Sequence, residues 1–96
     1  MTDKHFKTFH VHLISDSTGE TVGMVARACL VQFDTIDAHE HLWSMVRSKE
    51  QVQEVLDGIR EDPGFVLYTV VNDEIRNMLE DGCRKLQVPC IAILDQ

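Results

Sequence analysis

The amino-acid sequence predicts an α/β fold in which a parallel four-stranded sheet is the middle of three layers. Strand-like and helix-like segments alternate along the chain in the order βαβαβαβ. The third strand-like segment, residues 65–71, is apolar almost throughout, as expected for a parallel strand that is covered on both faces. With right-handed crossovers, this order indicates a Rossmann-like or flavodoxin-like sheet, and we expect the strand order 2-1-3-4.

The predicted strands, residues 9–14, 36–43, 65–71 and 90–94, differ in polarity. The second contains Asp37, His39, Glu40 and His41, so we place it at an edge of the sheet. The fourth, Cys-Ile-Ala-Ile-Leu, is typical of an interior strand although it is the last element. We therefore expect another copy or further sequence to cover it. We interpret residues 1–96 as a single domain, the N-terminal one of a longer protein.

Three helices are predicted between these strands. The first, residues 19–32, has apolar residues at helical spacing, including Val22, Ala26 and Cys29. The second begins after Ser48, which can form a capping box with Gln51. The third begins near Asp73, and the last strand follows it.

Composition limits the classes of partner. The 96 residues are 44% hydrophobic and carry a formal net charge of −7, which argues against nonspecific binding to nucleic acid or to an anionic membrane. Neither a signal peptide nor a membrane-spanning segment is recognisable. The cysteines, Cys29, Cys83 and Cys90, lack C-x-x-C spacing, and we interpret them as buried thiols of a cytoplasmic protein.

The most informative segment is Ser-Asp-Ser-Thr-Gly-Glu-Thr, residues 15–21, between the first strand and the first helix. A short hydroxyl-rich loop before a helix N-terminus offers backbone N–H groups and a positive dipole to a phosphate. Ligands of parallel sheets bind beyond the carboxyl ends of the strands, where Arg47 and Asn72 also fall. The candidate contacts to a phosphate, a nucleotide or a target threonine are Asp16, Ser17, Thr18, Gly19, Thr21 and Arg47.

Interpretations without a ligand remain open for the same residues. Ser17-x-x-Glu20 matches a capping box, which stabilises a helix without any ligand. Asp16 would repel a bare phosphate unless a cation or a hydroxyl lies between them. Arg47 could be a solvated surface arginine.

Four histidines form two pairs, His10-x-His12 and His39-x-His41, each on one face of a strand. If the first two strands are neighbours, the four imidazoles could converge. The sequence offers these pairs no clear carboxylate support beyond Glu40. We therefore expect packed or solvated imidazoles and predict no metal site.

Two resemblances bear on function. Thr18-Gly19-Glu20-Thr21 resembles part of the flavodoxin phosphate loop, which leaves an FMN-binding domain as a minor alternative. A longer match covers nearly the whole chain: residues 9–22, 25–33, Val46-Arg47-Ser48 and Glu50-Gln51-Val52 resemble the bacterial phosphoenolpyruvate synthetase regulatory proteins. The related pyruvate, phosphate dikinase regulatory proteins share this pattern.

The second resemblance implies a bifunctional enzyme. One activity would be an ADP-dependent kinase that inactivates phosphoenolpyruvate synthase by phosphorylating a threonine. The other would be a phosphate-dependent pyrophosphorylase that removes the phosphoryl group and releases pyrophosphate. It implies ADP and phosphate as small-molecule partners, ADP or ATP with Mg²⁺ as cofactors of the full-length protein, and we expect a homodimer.

The chain departs from this family in one important respect. Family members are longer and carry a P-loop-like lysine-threonine segment in their C-terminal half, whereas this sequence contains no G-K-[ST]. We therefore assign no catalytic residue and no cofactor to this segment, and we expect it to be inactive alone. One interpretation is that this segment forms part of the active-site cleft. The alternative is that it is a non-catalytic module that docks the target enzyme or senses a nucleotide.

Overall fold

The computed structural model of the protein describes residues 7–30 and 36–93. Its elements are β1 (Lys7–Ser15), α1 (Glu20–Leu30), β2 (Ile36–Trp43), α2 (Lys49–Glu61), β3 (Gly64–Thr69), α3 (Asp73–Leu86) and β4 (Cys90–Ala92). All strand pairs are parallel, and the order is β2-β1-β3-β4. The predicted fold class and strand order are confirmed.

β1 is central and pairs with two strands in fixed register. Against β2, His10 lies opposite His39 and His12 lies opposite His41, so the four histidines do converge. Against β3, the pairing runs from His10 opposite Gly64 to Ser15 opposite Thr69. β2 occupies an edge, as its polar composition predicts.

The sheet separates two apolar clusters because side chains alternate between its faces. On one face, Val11 and Leu13 of β1 pack with Val22 and Ala26 of α1. The larger cluster on the other face joins the sheet to α2 and α3, with buried residues Ile14, Val46, Val52, Val55, Leu56, Ile59, Val66, Tyr68, Val70, Ile75, Leu79 and Cys83. These are the three predicted layers.

Helix α2 begins as predicted. The Ser48 hydroxyl accepts a hydrogen bond from the Gln51 N–H at 3.1 Å, and Gln51 Oε1 accepts from the Ser48 N–H at 3.0 Å. This reciprocal capping box satisfies two of the backbone donors at the helix start. Within residues 7–30 and 36–93, no helix is long and apolar enough to span a bilayer.

Several predicted boundaries shift by a few residues. β1 extends through Ser15, β3 ends at Thr69, and β4 ends at Ala92, while position 94 lies outside the described residues. Helix α1 begins at Glu20, because the first helical hydrogen bond joins the Gly23 N–H to the Gly19 carbonyl at 3.0 Å. The predicted end of this helix, residues 31–32, also lies outside the described part.

The cysteines do not share one environment. Cys83 is buried and Cys90 is half-buried, but Cys29 is exposed, so the prediction of three buried thiols is wrong for Cys29. Helical spacing continues to Cys29, yet Cys29 is exposed whereas Val22 and Ala26 of the same helix are buried. Periodicity gives the direction of a side chain but not whether an opposing surface reaches it.

The apolar strand β4 lies at the open edge of the sheet, beside β3. Ile91 at its centre remains 48% exposed. A sequence suited to an interior strand therefore presents an uncovered edge among the described residues.

Candidate functional site

The direction of the crossovers places a crevice between β1 and β3. From β1 the chain passes through α1 to β2 on one side, and from β3 it passes through α3 to β4 on the other. The helices also lie on opposite faces. Such a topological switch point leaves room for a ligand beyond the carboxyl ends of the two strands.

A cleft of about 340 Å³ occupies this position. Its walls come from the loop after β1, the first turn of α1, the end of β3, α3 and the residues at β4; they are Ser15, Asp16, Ser17, Thr18, Glu20, Thr21, Tyr68, Thr69, Val70, Val71, Arg76, Ala92 and Ile93. The cleft therefore includes four of the six candidate residues from the sequence, namely Asp16, Ser17, Thr18 and Thr21.

Asp16 is held between the segment that follows β3 and the segment that precedes α2. Its N–H donates to the Thr69 carbonyl at 3.4 Å, and its Oδ2 accepts from the Val71 N–H at 3.1 Å. Its own carbonyl accepts from Arg47 Nε at 2.8 Å. The backbone N–H thus compensates part of the carboxylate charge, which reduces the repulsion of an anion that the sequence suggested.

Ser15 and Ser17 shape the turn by bonding to each other. The Ser17 N–H donates to Ser15 Oγ at 3.0 Å, and the two hydroxyl oxygens are 3.3 Å apart. Since Glu20 is the first residue of α1, Ser17 lies too far upstream to act as its N-cap, a position that Gly19 takes. The capping-box interpretation of Ser17 and Glu20 is therefore wrong.

Gly19 lets the loop enter the helix. Its φ is +89°, a conformation that L side chains rarely adopt. A Cβ built on Gly19 would also lie 2.8 Å from Cδ1 of Leu42. Gly19 therefore contributes through the backbone path, and its side of the loop packs against β2.

Arg47 and Asn72 line a second opening beside the cleft, and Asp16, Ser17 and Val70 line both openings. Arg47 is not simply solvated, because its Nε is bonded to the loop. Asn72 is the N-cap of α3, where its Oδ1 accepts from the Ile75 N–H at 3.0 Å. Arg47 thus positions the loop from its outer side.

The guanidinium that lines the main cleft belongs to Arg76, which sequence reasoning missed. Arg76 lies one turn into α3, and its Nη2 is 2.6 Å from Asp73 Oδ1. The missed signal is geometric: helical side chains lean toward the N-terminus, so a residue in the first turns of α3 can face the strand end.

Tyr68 lies on the floor of the cleft and its hydroxyl donates to Glu80. Burial and this contact raise the pKa of Tyr68, so the phenol stays protonated at neutral pH. Tyr68 is therefore a structural member of the cleft and not a base.

Comparisons with known proteins place the chain in one family. Residues 11–96 match the family model described as kinase/pyrophosphorylase. A relative from Rhodospirillum rubrum is 52% identical over 93% of this chain and 32% of its own length. Relatives from Paramagnetospirillum magneticum and Caulobacter vibrioides are 51% and 49% identical, over 93% and 91% of this chain and 29% and 28% of their own lengths. All three are provisionally named pyruvate, phosphate dikinase regulatory proteins, and the chain spans about a third of their length.

Proposed function

Because this chain belongs to the kinase/pyrophosphorylase family, we propose that it forms the N-terminal part of a bifunctional phosphotransferase. In this proposal the full-length protein phosphorylates a threonine of its target enzyme with ADP as donor. It also removes that phosphoryl group with inorganic phosphate and releases pyrophosphate. This chain contributes one wall of the cleft in which the phosphoryl group is held.

The observation that carries the proposal is the cleft between β1 and β3. It combines the N-terminus of α1 with the Arg76 guanidinium, and both attract phosphoryl oxygens. The hydroxyls of Ser17 and Thr18 line the same cleft and can donate hydrogen bonds. Phosphoryl transfer depends mainly on positioning and charge stabilisation, which such a wall supplies. The lysine-threonine segment implied by the resemblance would supply the opposite wall.

The acidic residues of the cleft fit a role beside Mg²⁺. One oxygen of Asp16 is bonded to Val71, while the other has no hydrogen-bond partner among the described residues. Glu20 supplies a second carboxylate to the cleft. Mg²⁺ in such sites is held by one or two carboxylates together with substrate phosphates, whose charge it neutralises.

The names of the relatives indicate which target to test first. They describe regulation of pyruvate, phosphate dikinase. Phosphoenolpyruvate synthase, which the sequence resemblance implies, is the second target. Both enzymes should therefore be assayed as protein substrates.

The test uses a chain extended to the full length of its relatives and measures both activities on each target. We expect Asp16→Ala and Thr18→Ala to lower kcat for both activities at least about tenfold, since each removes a polar contact in the cleft. Asp57→Ala is the matched control, because Asp57 is an exposed carboxylate on α2 that pairs only with neighbours on its own helix among the described residues.

The same assay separates the alternative function. If the domain only docks the target, the Asp16 and Thr18 variants will keep the kcat of the parent and show a raised KM. That result, with circular dichroism spectra equal to the parent, would reject the cleft as part of the active site.

A further inference from the structure

A cluster of histidines lies in the middle of β1 and β2, away from the cleft at the carboxyl ends of β1 and β3. Nδ1 of His10 is 2.9 Å from Nε2 of His41 on the neighbouring strand β2. Nε2 of His10 is 3.7 Å from Oδ1 of Asp62, which follows the C-terminus of α2. One ligand atom from each of these residues lies within 4.8 Å of the other two.

We propose that His10, His41 and Asp62 form a binding site for Zn²⁺. Two imidazoles and a carboxylate form an established ligand set for this ion, with water in the fourth position. Only one ring nitrogen of His10 can bind the ion. Zn–N bonds of about 2.0–2.1 Å in a tetrahedron place ligand atoms about 3.3 Å apart, so the three ligand atoms, which lie within 4.8 Å of one another, have to approach by at most about 1.5 Å. The site is independent of the proposed phosphotransferase activity.

His12 supports this arrangement through hydrogen bonds and ring stacking. Trp43 Nε1 donates to His12 Nδ1 at 3.1 Å, which requires the proton of the neutral ring to be on Nε2. Nε2 then donates to the backbone carbonyl of Asp62 at 2.8 Å. The same ring stacks on His41, with centroids 4.6 Å apart and planes 14° from parallel. His12 therefore orients two of the three ligands.

The Asp62 backbone is fixed on both sides. Its N–H donates to the Gly58 carbonyl at 3.0 Å, and its own carbonyl accepts from His12. Orientation of ligands by such surrounding hydrogen bonds is typical of metal sites. The three ligands come from β1, β2 and the end of α2, so a bound ion would link three elements of the fold.

The test titrates the purified full chain with Zn²⁺ in competition with a chromophoric chelator at pH 7.5. Wild type is expected to bind one equivalent, and saturation at about 100 times Kd is expected to raise Tm by roughly 10 °C. Co²⁺ replaces Zn²⁺ in a parallel titration, where visible absorption reports the coordination of the ion.

Variants test the ligand assignment. His41→Ala and Asp62→Asn are expected to weaken binding more than about tenfold and to remove the shift in Tm. Asp62→Asn keeps both backbone hydrogen bonds, so its fold should persist. The control is Glu40→Gln, an exposed carboxylate adjacent to His41 in sequence and therefore on the other face of β2.

Two results would overturn the proposal. One is a wild-type chain that binds no stoichiometric Zn²⁺. The other is unchanged affinity in both folded variants, which would place the ion elsewhere, for instance on residues near the N-terminus.

Discussion

Arg47 Nε donates a hydrogen bond to the backbone carbonyl of Asp16, 31 residues away, at 2.8 Å. Two candidate residues from the sequence are thus in contact, but through a backbone atom of one of them. The side chain of Asp16 bonds in turn to Val71. The loop after β1 is therefore fixed from the α2 side and from the β3 side, so its shape depends little on a ligand.

The entry of this loop into α1 depends on Gly19. We expect Gly19→Ala to lower the free energy of unfolding by about 1–2 kcal/mol, since its φ is +89° and its new Cβ would meet Leu42. Gly23→Ala is the matched control: the three atoms nearest to its new Cβ belong to the flexible guanidinium of Arg27, and the variant should stabilise α1 by up to about 1 kcal/mol. Urea denaturation measures both, and equal effects of the two variants would contradict the strain argument.

Arg76 is expected to contribute to anion binding in the cleft. In the full-length protein, Arg76→Ala should weaken pyrophosphate binding about tenfold, the equivalent of one charged hydrogen bond. Arg84→Ala is a close control because Arg84 lies on the same helix and pairs with Asp81 at the same 2.6 Å distance. Calorimetric titration measures the affinity, and equal losses in both variants would indicate a general charge effect.

His12 predicts a pH dependence of stability. Burial lowers the pKa of His12 below its usual 6.5, so below that pH the unfolded chain binds a proton that the folded chain does not. Stability contributed by the neutral ring is therefore present above pH 6.5 and is lost as pH falls toward the lowered pKa. For one proton, the free energy of unfolding changes with pH by at most about 1.4 kcal/mol per pH unit.

Urea denaturation between pH 5 and 8, with a chelator present, measures this slope. His12→Gln should flatten it, because the variant lacks the buried imidazole. An identical pH profile in wild type and His12→Gln would show that other groups cause the dependence.

Among the described residues no strand pairs with the outer edge of β4, and we propose a homodimer through this strand. Ile91 is 48% exposed there, and an open apolar edge readily pairs with another strand. In analytical ultracentrifugation, Ile91→Lys should shift the sedimentation coefficient toward that of the monomer. Met24→Lys, at an exposed apolar side chain of α1, should not. A wild-type chain that is monomeric at every concentration would contradict the proposal.

The sequence was sufficient to predict the strand order of the sheet, but it did not predict every side-chain contact around the sheet. Polar residues in β2 and apolar residues in β3 placed these strands correctly, because a parallel sheet separates edge and interior strands by composition. The position of the loop of residues 15–21 at the carboxyl end of the sheet was also predicted correctly, because the loop directly follows the central strand β1. Asp62 was missed because it is 50 residues from His12 and meets it only through the packing of α2 on the sheet. Arg76 was missed because the direction of a helical side chain toward the strand ends follows from the three-dimensional placement of α3.

The central position of β1 has a consequence for motion. Its backbone is bonded to β2 along one side and to β3 along the other, so opening it requires both ladders to break. Amide hydrogens of such a strand exchange with solvent chiefly through global unfolding. Ser15 ends this strand and begins the loop of residues 15–21. The loop is therefore attached to a slowly exchanging part of the sheet, and its geometry should persist while less protected parts of the fold open and close.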